Sequence, residues 1–233
     1  PPAATDSYLN IAAVINAAKE TGAQAIHPGY GFLAENPDFV EACRDSRITF
    51  IGPSADIIRL MGDKSRAKAM AAEAGLPLVP GSEGEVTDEE ALEQAKEIGF
   101  PLMVKASHGG GGIGIRVVHS IEDLPDALQR SRSLSQNAFG ASGLYLERYI
   151  ERPSHIEVQV MADQHGNAVH IFERDCSIQR RNQKVIEETP CVKLKKGRLK
   201  PMYEAALALV DHIGYTNAGT VEFLVDDDGH FYF

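Results

Sequence analysis

Cysteine is scarce in this chain of 233 residues: Cys43, Cys176 and Cys191 are odd in number and far apart. That pattern excludes a disulfide framework and any CxxC or Cys-His metal site, and it points to a reducing compartment. No apolar run approaches the roughly 20 residues of a membrane-spanning helix. The first residues also lack a basic flank and a signal-like apolar segment, so the chain reads as soluble, with no membrane partner. Positive charge is in deficit, 23 Lys and Arg against 33 Asp and Glu for a net charge of -10. This argues against a nucleic-acid binder but leaves room for a local basic patch that handles phosphate. Internal repeats and low-complexity segments are absent. What remains is a globular composition, 43% hydrophobic and 24% charged, long enough for one large domain or two small ones without a metal or disulfide staple. The chain opens on Pro1-Pro2-Ala3-Ala4 and stops at Phe233 inside an apparent strand, so a piece of something longer is expected.

Local patterns predict two kinds of architecture. Helix Leu9 to Lys19, strand Gln24 to His27, a helix after Pro37 to about Asp45 and strand Ile48 to Ile51 have the alternation of an α/β unit. Ser54 N-caps a helical region over Ala55 to Glu73 that Gly62 divides. From Pro77 the order changes: a short apolar strand, a turn at Gly81 to Gly84, and a helix from Thr87 with Glu90 completing a capping box. Strand Pro101 to Ala106, a glycine-dense turn, strand Ile115 to His119 and a helix opened by Ser120 make a small α+β domain, whose loosest part is expected at Ser131 to Gly143. Beyond it come a hairpin, Ile156 to Val160 and Ala168 to Phe172 about the turn Asp163 to Asn167, a helix Leu199 to Ile213, and a final hairpin over Thr220 to Phe233.

Chemistry concentrates in three places. Lys105 precedes Gly109-Gly110-Gly111-Gly112, where missing side chains let backbone N–H groups approach an anion. The segment fits neither G-x-x-x-x-G-K-S/T nor a dinucleotide fingerprint, so it reads as a phosphate-covering loop or as a flexible hairpin turn. Four glycines cost more chain entropy than a plain turn needs, which favours the loop. Glu173 to Lys184 gathers four cations within 11 positions of an acidic chain, suited to an anionic substrate or to ion pairs with Glu187 and Glu188. Lys64 sits on or just before a helix, where solvated charge is the plain reading. Glu222 alternates with apolar neighbours, facing solvent or a site. His108, His155 and His170 form no H-E-x-x-H or other metal spacing.

Taken together, these stretches resemble the biotin carboxylase component of biotin-dependent carboxylases, a branch of the ATP-grasp superfamily. The resemblance is carried, in family order, by His27 to Asn36, Phe50 to Pro53, Met61 to Lys64, Lys105 to Gly114, His155 to Gln159, Glu173 to Lys184 and Gly219 to Phe223. It implies an incomplete biotin carboxylase ATP-grasp fold, α/β and α+β, with a small glycine-loop lid domain. Residues 1–52 would be part of an N-terminal α/β domain, 53–76 a helical linker, 77–150 the lid, and 151–233 part of the C-terminal ATP-grasp domain.

The resemblance implies a reaction in which bicarbonate and MgATP give carboxyphosphate, and the activated CO2 passes to N1 of biotin on a carrier. Lys64 and Lys105 would hold phosphates under a lid containing Gly110, Gly111 and Gly112. Glu147, Arg148 (through its backbone) and Ile150 would flank adenine. His155, Gln179 and Asn182 would line the ribose and triphosphate, Lys184 would face bicarbonate as the catalytic residue, and Glu222 would ligand Mg2+. Asn182 departs from the histidine of many relatives, exchanging a charge-assisted contact for a neutral one. A second metal-binding Glu-x-Asn and a catalytic arginine and glutamate, which follow in the family, are not present, so this polypeptide is expected to be catalytically incomplete. Implied partners are a biotin carboxyl carrier domain, a carboxyltransferase component and a second copy in a homodimer or larger assembly, in the cytoplasm or mitochondrial matrix. Two other readings stay open: a different ATP-grasp carboxylate ligase, and a non-catalytic nucleotide-binding or interaction fragment.

Overall fold

The computed structural model describes residues 2–82, 84–106, 115–139, 142–180, 183–194 and 196–233. They form two compact units, one of Pro1–Pro77, Ser154–Val225 and Gly229–Phe233, the other of Leu78–Pro153 and Asp226–Asp228.

In the first unit, α1 (Ile11–Thr21) starts where Asn10 Oδ1 accepts the Ala13 N–H at 3.0 Å, and it ends at Gly22 in the left-handed conformation. Asn36 caps α2 (Pro37–Asp45) in the same way, with proline in its first turn. The short strands β1 (Ala25–Ile26) and β2 (Thr49–Phe50) pair in parallel. Ile15, Leu33, Phe39, Cys43 and Ile48 form the core between these elements, each large apolar side chain contributing about 1.5–3 kcal/mol on burial. The helical region beyond Ser54 divides into α3 (Ala55–Gly62) and α4 (Lys64–Glu73), as Gly62 predicts.

The second unit packs two helices on a three-stranded antiparallel sheet. Its elements are α5 (Asp88–Ile98), β3 (Leu102–Ala106), β4 (Arg116–Val118), α6 (Leu124–Phe139) and β5 (Leu144–Arg148), in strand order β4-β3-β5. Both bonds of the Thr87/Glu90 capping box form, at 3.2 and 2.8 Å. Leu102, Val104, Leu144 and Leu146 alternate along their strands and pack against Ala91, Ala95, Leu124 and Leu128.

Two expectations are corrected in this unit. Among the described residues no strand forms between Pro77 and Ser82; an isolated bridge joins Gly81 to Glu147, because Pro77 and Pro80 have no N–H to give a ladder. The helix opens at Leu124 rather than Ser120, whose hydroxyl bonds Asp123 Oδ2 at 3.0 Å in the preceding turn. Within Ser131 to Gly143, α6 continues to Phe139 with Ser131 and Ser135 fully buried, and residues 140 and 141 lie outside the described residues. Their small side chains suit the crowded inner face of the helix.

The chain then completes the first unit with β6 (Ser154–Ala162), β7 (Ala168–Arg180), β8 (Gln183–Glu188), α7 (Lys196–His212), β9 (Asn217–Val225) and β10 (Phe231–Tyr232). The five strands form an antiparallel sheet in the order β10-β9-β6-β7-β8. Its inner face carries Ile156, Val158, Val160, Val221 and Phe223, all buried, and α7 contributes Met202, Ala206 and Leu209. Asp163 organises the β6–β7 turn by accepting the N–H groups of His165 and Asn167 at 2.8 and 2.9 Å. Among the described residues, no helix is long and apolar enough to cross a membrane.

Candidate functional site

Alternation along β6 sends Ile156 and Val158 into the core and turns His155, Glu157 and Gln159 to the opposite face. Register places Glu157 between Arg174 on β7 and Glu222 on β9. Lys184, paired with Gln179 across the β7–β8 hairpin, bonds Glu157 Oε2 and lies 2.6 Å from Glu222 Oε1. His155 Nε2 stands 3.5 Å from the other Glu222 oxygen, and Gln179 Nε2 is 2.7 Å from His155 Nδ1. An amide donating to Nδ1 leaves the ring proton on Nε2, facing the carboxylate. The sheet thus brings four of the residues singled out from the sequence, His155, Gln179, Lys184 and Glu222, into one hydrogen-bonded group.

Charge in this group is tightly organised. Burial pulls the Lys184 ammonium down, but the hydrogen bonds it donates to Glu157 and Glu222 outweigh this and hold the group above the ordinary lysine range. The hydrogen bond from His155, followed by those from Lys184, depresses Glu222 to about 2 against the opposing effect of burial. Lys184 is therefore a fixed cation and Glu222 a fixed anion near neutral pH. Glu222 is half-exposed, with an ionised oxygen pair on the outer face of the sheet, and so offers the hard oxygen donor that Mg2+ takes in company with phosphate oxygens.

Glu157 and Arg174 received no role from the sequence. Glu157 is almost wholly buried, and both its oxygens are engaged by cations: Arg174 on Oε1, Lys184 on Oε2. Arg174 Nη1 also donates to Gln159 Oε1 at 2.9 Å, and its Nε lies 3.4 Å from Glu187. The ion pairing weighed for the basic run therefore coexists with the site. Three neighbouring strands carrying charge at outward positions was the available signal, but it needed the register to be read. Glu157, Cys176 and Glu187 also bring ligand atoms within 4.8 Å of one another. Two cations already occupy Glu157, and burial pushes the Cys176 thiol to about 12, so this trio is a poor metal centre.

In the second unit, Lys105 on β3 forms an ion pair with Glu147 on β5, a nearly buried carboxylate. Its ammonium also stands 6.0 Å from the centre of the Tyr145 ring. The Arg148 N–H donates to Pro80 O at 2.7 Å, and its guanidinium reaches Ile98 O at 3.4 Å. Ile150 is buried just past the strand. Lys64 opens α4, with its side chain outside the described set. Gly110, Gly111, Gly112 and Asn182 lie outside the described residues.

Comparison with known proteins gives a consistent set of matches. Residues 63–233 match the family model for the carbamoyl-phosphate synthase L chain ATP-binding domain, and residues 1–58 that for the biotin carboxylase N-terminal domain. A biotin carboxylase from Nostoc sp. is 53% identical over 100% of the chain and 52% of its own length. The methylcrotonoyl-CoA carboxylase subunit alpha of Oryza sativa is 49% identical, over 100% of the chain and 32% of its own. Among solved structures, a biotin carboxylase–β-γ-ATP complex from Campylobacter jejuni superposes with TM-score 0.82 at 49% identity, covering 100% of this chain and 52% of that one. The biotin carboxylase domain of a thermophilic 2-oxoglutarate carboxylase bound to bicarbonate gives TM-score 0.91 at 45% identity, covering 98% and 50%. The chain spans about half the length of the Nostoc relative.

Proposed function

Because the chain belongs to the biotin carboxylase family, we propose that it supplies the nucleotide-binding part of an enzyme that carboxylates carrier-linked biotin at the expense of ATP. The observation that carries this reading is the Lys184 ammonium held between Glu157 and Glu222 on an open sheet face. A cation fixed there suits an oxyanion substrate, and bicarbonate is the one the reaction requires. A bicarbonate oxygen attacks the γ-phosphorus of ATP, the bond to the bridging oxygen breaks, and ADP departs, leaving carboxyphosphate. The carboxyl carbon then passes to N1 of biotin, which gives up its proton as phosphate leaves.

The residues divide this work. Lys184 orients the bicarbonate oxygens and stabilises negative charge in carboxyphosphate. His155 and Gln179, hydrogen-bonded to each other, meet the ribose and phosphates. Lys64, Lys105 and the glycines 110–112 cover the phosphates, Asn182 adds a neutral hydrogen bond, and Glu147, Arg148 and Ile150 flank the adenine. Glu222 would hold Mg2+, which when bound neutralises phosphate oxygens. We assign residues 1–52, 53–76, 77–150 and 151–233 to the N-terminal, linker, lid and C-terminal parts. A biotin carrier, a carboxyltransferase and a second copy of the chain are the proposed partners, in the cytoplasm or mitochondrial matrix.

The test is bicarbonate-dependent ATP cleavage by the full-length protein that contains these residues. Stimulation by free biotin is the expected result. Cleavage driven instead by a carboxylate with an amine or thiol would favour another ATP-grasp ligase. Calorimetry of this polypeptide with MgATP separates a binding unit from an interaction module, which would give no heat.

A further inference from the structure

The buried carboxylate of Glu157 poses a problem for a site that needs Lys184 as an accessible cation. A carboxylate so thoroughly removed from water demands compensation, and the nearest ammonium would be drawn wholly onto it. The structure instead shows that ammonium shared with Glu222. What permits the sharing is the second cation on Glu157. Arg174 directs Nε and Nη2 to Oε1, leaving Oε2 alone for Lys184. The guanidinium is itself clamped: Nη1 donates to Gln159 Oε1 at 2.9 Å, while the Gln159 amide donates to Gly219 O on β9 at 2.8 Å. A planar fork anchored at both ends to the sheet has little freedom to turn. Arg174 points across its own sheet, and among the described residues its partners are Glu157 and Gln159 on β6 and Glu187 on β8.

We propose that Arg174 is a positioning residue for Lys184: by binding one oxygen of Glu157 it halves that carboxylate's demand on the lysine and keeps the ammonium over the anion site. The proposal rests on the bicarbonate-activating reading above, and Arg174 acts only through Glu157. Loss of the guanidinium leaves Glu157 with Lys184 as its remaining cation, pulling the ammonium off Glu222 and away from bicarbonate. The nucleotide phosphates, held by other lysines, do not register the change.

The test is steady-state kinetics of the full-length protein with Arg174→Gln, Arg174→Lys and Gln159→Leu. R174Q is expected to lower kcat for bicarbonate-dependent ATP cleavage about 10- to 100-fold, the range seen when a group orienting a site residue is removed. Its KM for ATP should stay within about twofold of wild type, a split that general loss of structure would not produce. R174K places an ammonium close to the same carboxylate and should recover most of the loss. Q159L frees the fork without changing charge, provides a check if R174Q folds badly, and should lower the same kcat, by less than R174Q does. Unchanged kcat in R174Q or Q159L, an ATP KM that rises in step with the kcat loss, or R174K no better than R174Q would overturn the proposal. A wild-type protein without bicarbonate-dependent cleavage sinks the functional reading instead. The crystal structure of R174Q then decides the inference: Lys184 Nζ drawn away from Glu222 supports it, and an unmoved Nζ overturns it.

Discussion

Lys184 Nζ bridges two carboxylates of unequal exposure, bonding the buried Glu157 while standing 2.6 Å from the half-exposed Glu222. The buried partner anchors the lysine, and the exposed one sets where its charge is felt. Replacing Lys184 by Met keeps the length of the side chain and deletes only that charge. K184M in the full-length protein should lose about 10²- to 10³-fold in kcat for bicarbonate-dependent ATP cleavage. A kcat within a few fold of wild type would refute a catalytic role.

On the opposite face of the same sheet, the Tyr203 hydroxyl donates to Glu173, whose other oxygen accepts the Cys191 N–H at 2.9 Å. Burial, then the Glu173 carboxylate, raises the Tyr203 phenol well above its usual range. Tyr203→Phe retains the ring stacked at 4.2 Å on His170 and removes only the donor. Leaving a buried carboxylate one partner short should cost about 1–3 kcal/mol, seen as a lower urea midpoint. An unchanged midpoint would show that the bond contributes nothing.

All three thiols are buried, and burial raises each pKa, that of Cys176 to about 12. At pH 8 the native chain should therefore react with iodoacetamide far more slowly than the urea-unfolded chain, as followed by intact mass. Native labelling as fast as unfolded would contradict this packing.

Asp163 in the β6–β7 turn is lowered to about 2, first by the Asn167 side chain, then by the backbone N–H groups of Asn167 and His165. Its folded pKa lies below the unfolded value of about 3.9, so the stabilisation is complete above that value and disappears as pH falls through the folded pKa. The gap in urea midpoint between wild type and Asp163→Asn should be constant from pH 7 to about 5 and close as pH drops toward 2. A gap that widens with acid would reverse the assignment.

Much of this arrangement is legible in the sequence. Alternation in Ile156 to Val160 and the turn residues Asp163 to Asn167 announce a hairpin, and the Thr87/Glu90 pair announces a helix start, because both signals are local. Strand β5 was missed: Leu-Tyr-Leu-Glu-Arg has no turn residue closing it, and Glu147 looks like solvent-facing charge until Lys105 lies beside it. Ser131 and Ser135 misled in the other direction, since serine suggests a loop and here lies on the buried side of α6. In the site, Lys184 and Glu222 came from the family resemblance. Glu157 with Arg174 did not emerge, because their meeting depends on strand register, which no short window of sequence encodes.

That register has a consequence for which changes the gene tolerates. Along β6, residues of the charged group and residues of the apolar core take turns. A single residue inserted or deleted at the start of this strand would exchange the two sets, forcing Glu157 toward α7 and Ile156 onto the charged face. Folding and chemistry would fail together, so length variation among relatives should be barred from this strand and collect at the Asp163–Asn167 turn.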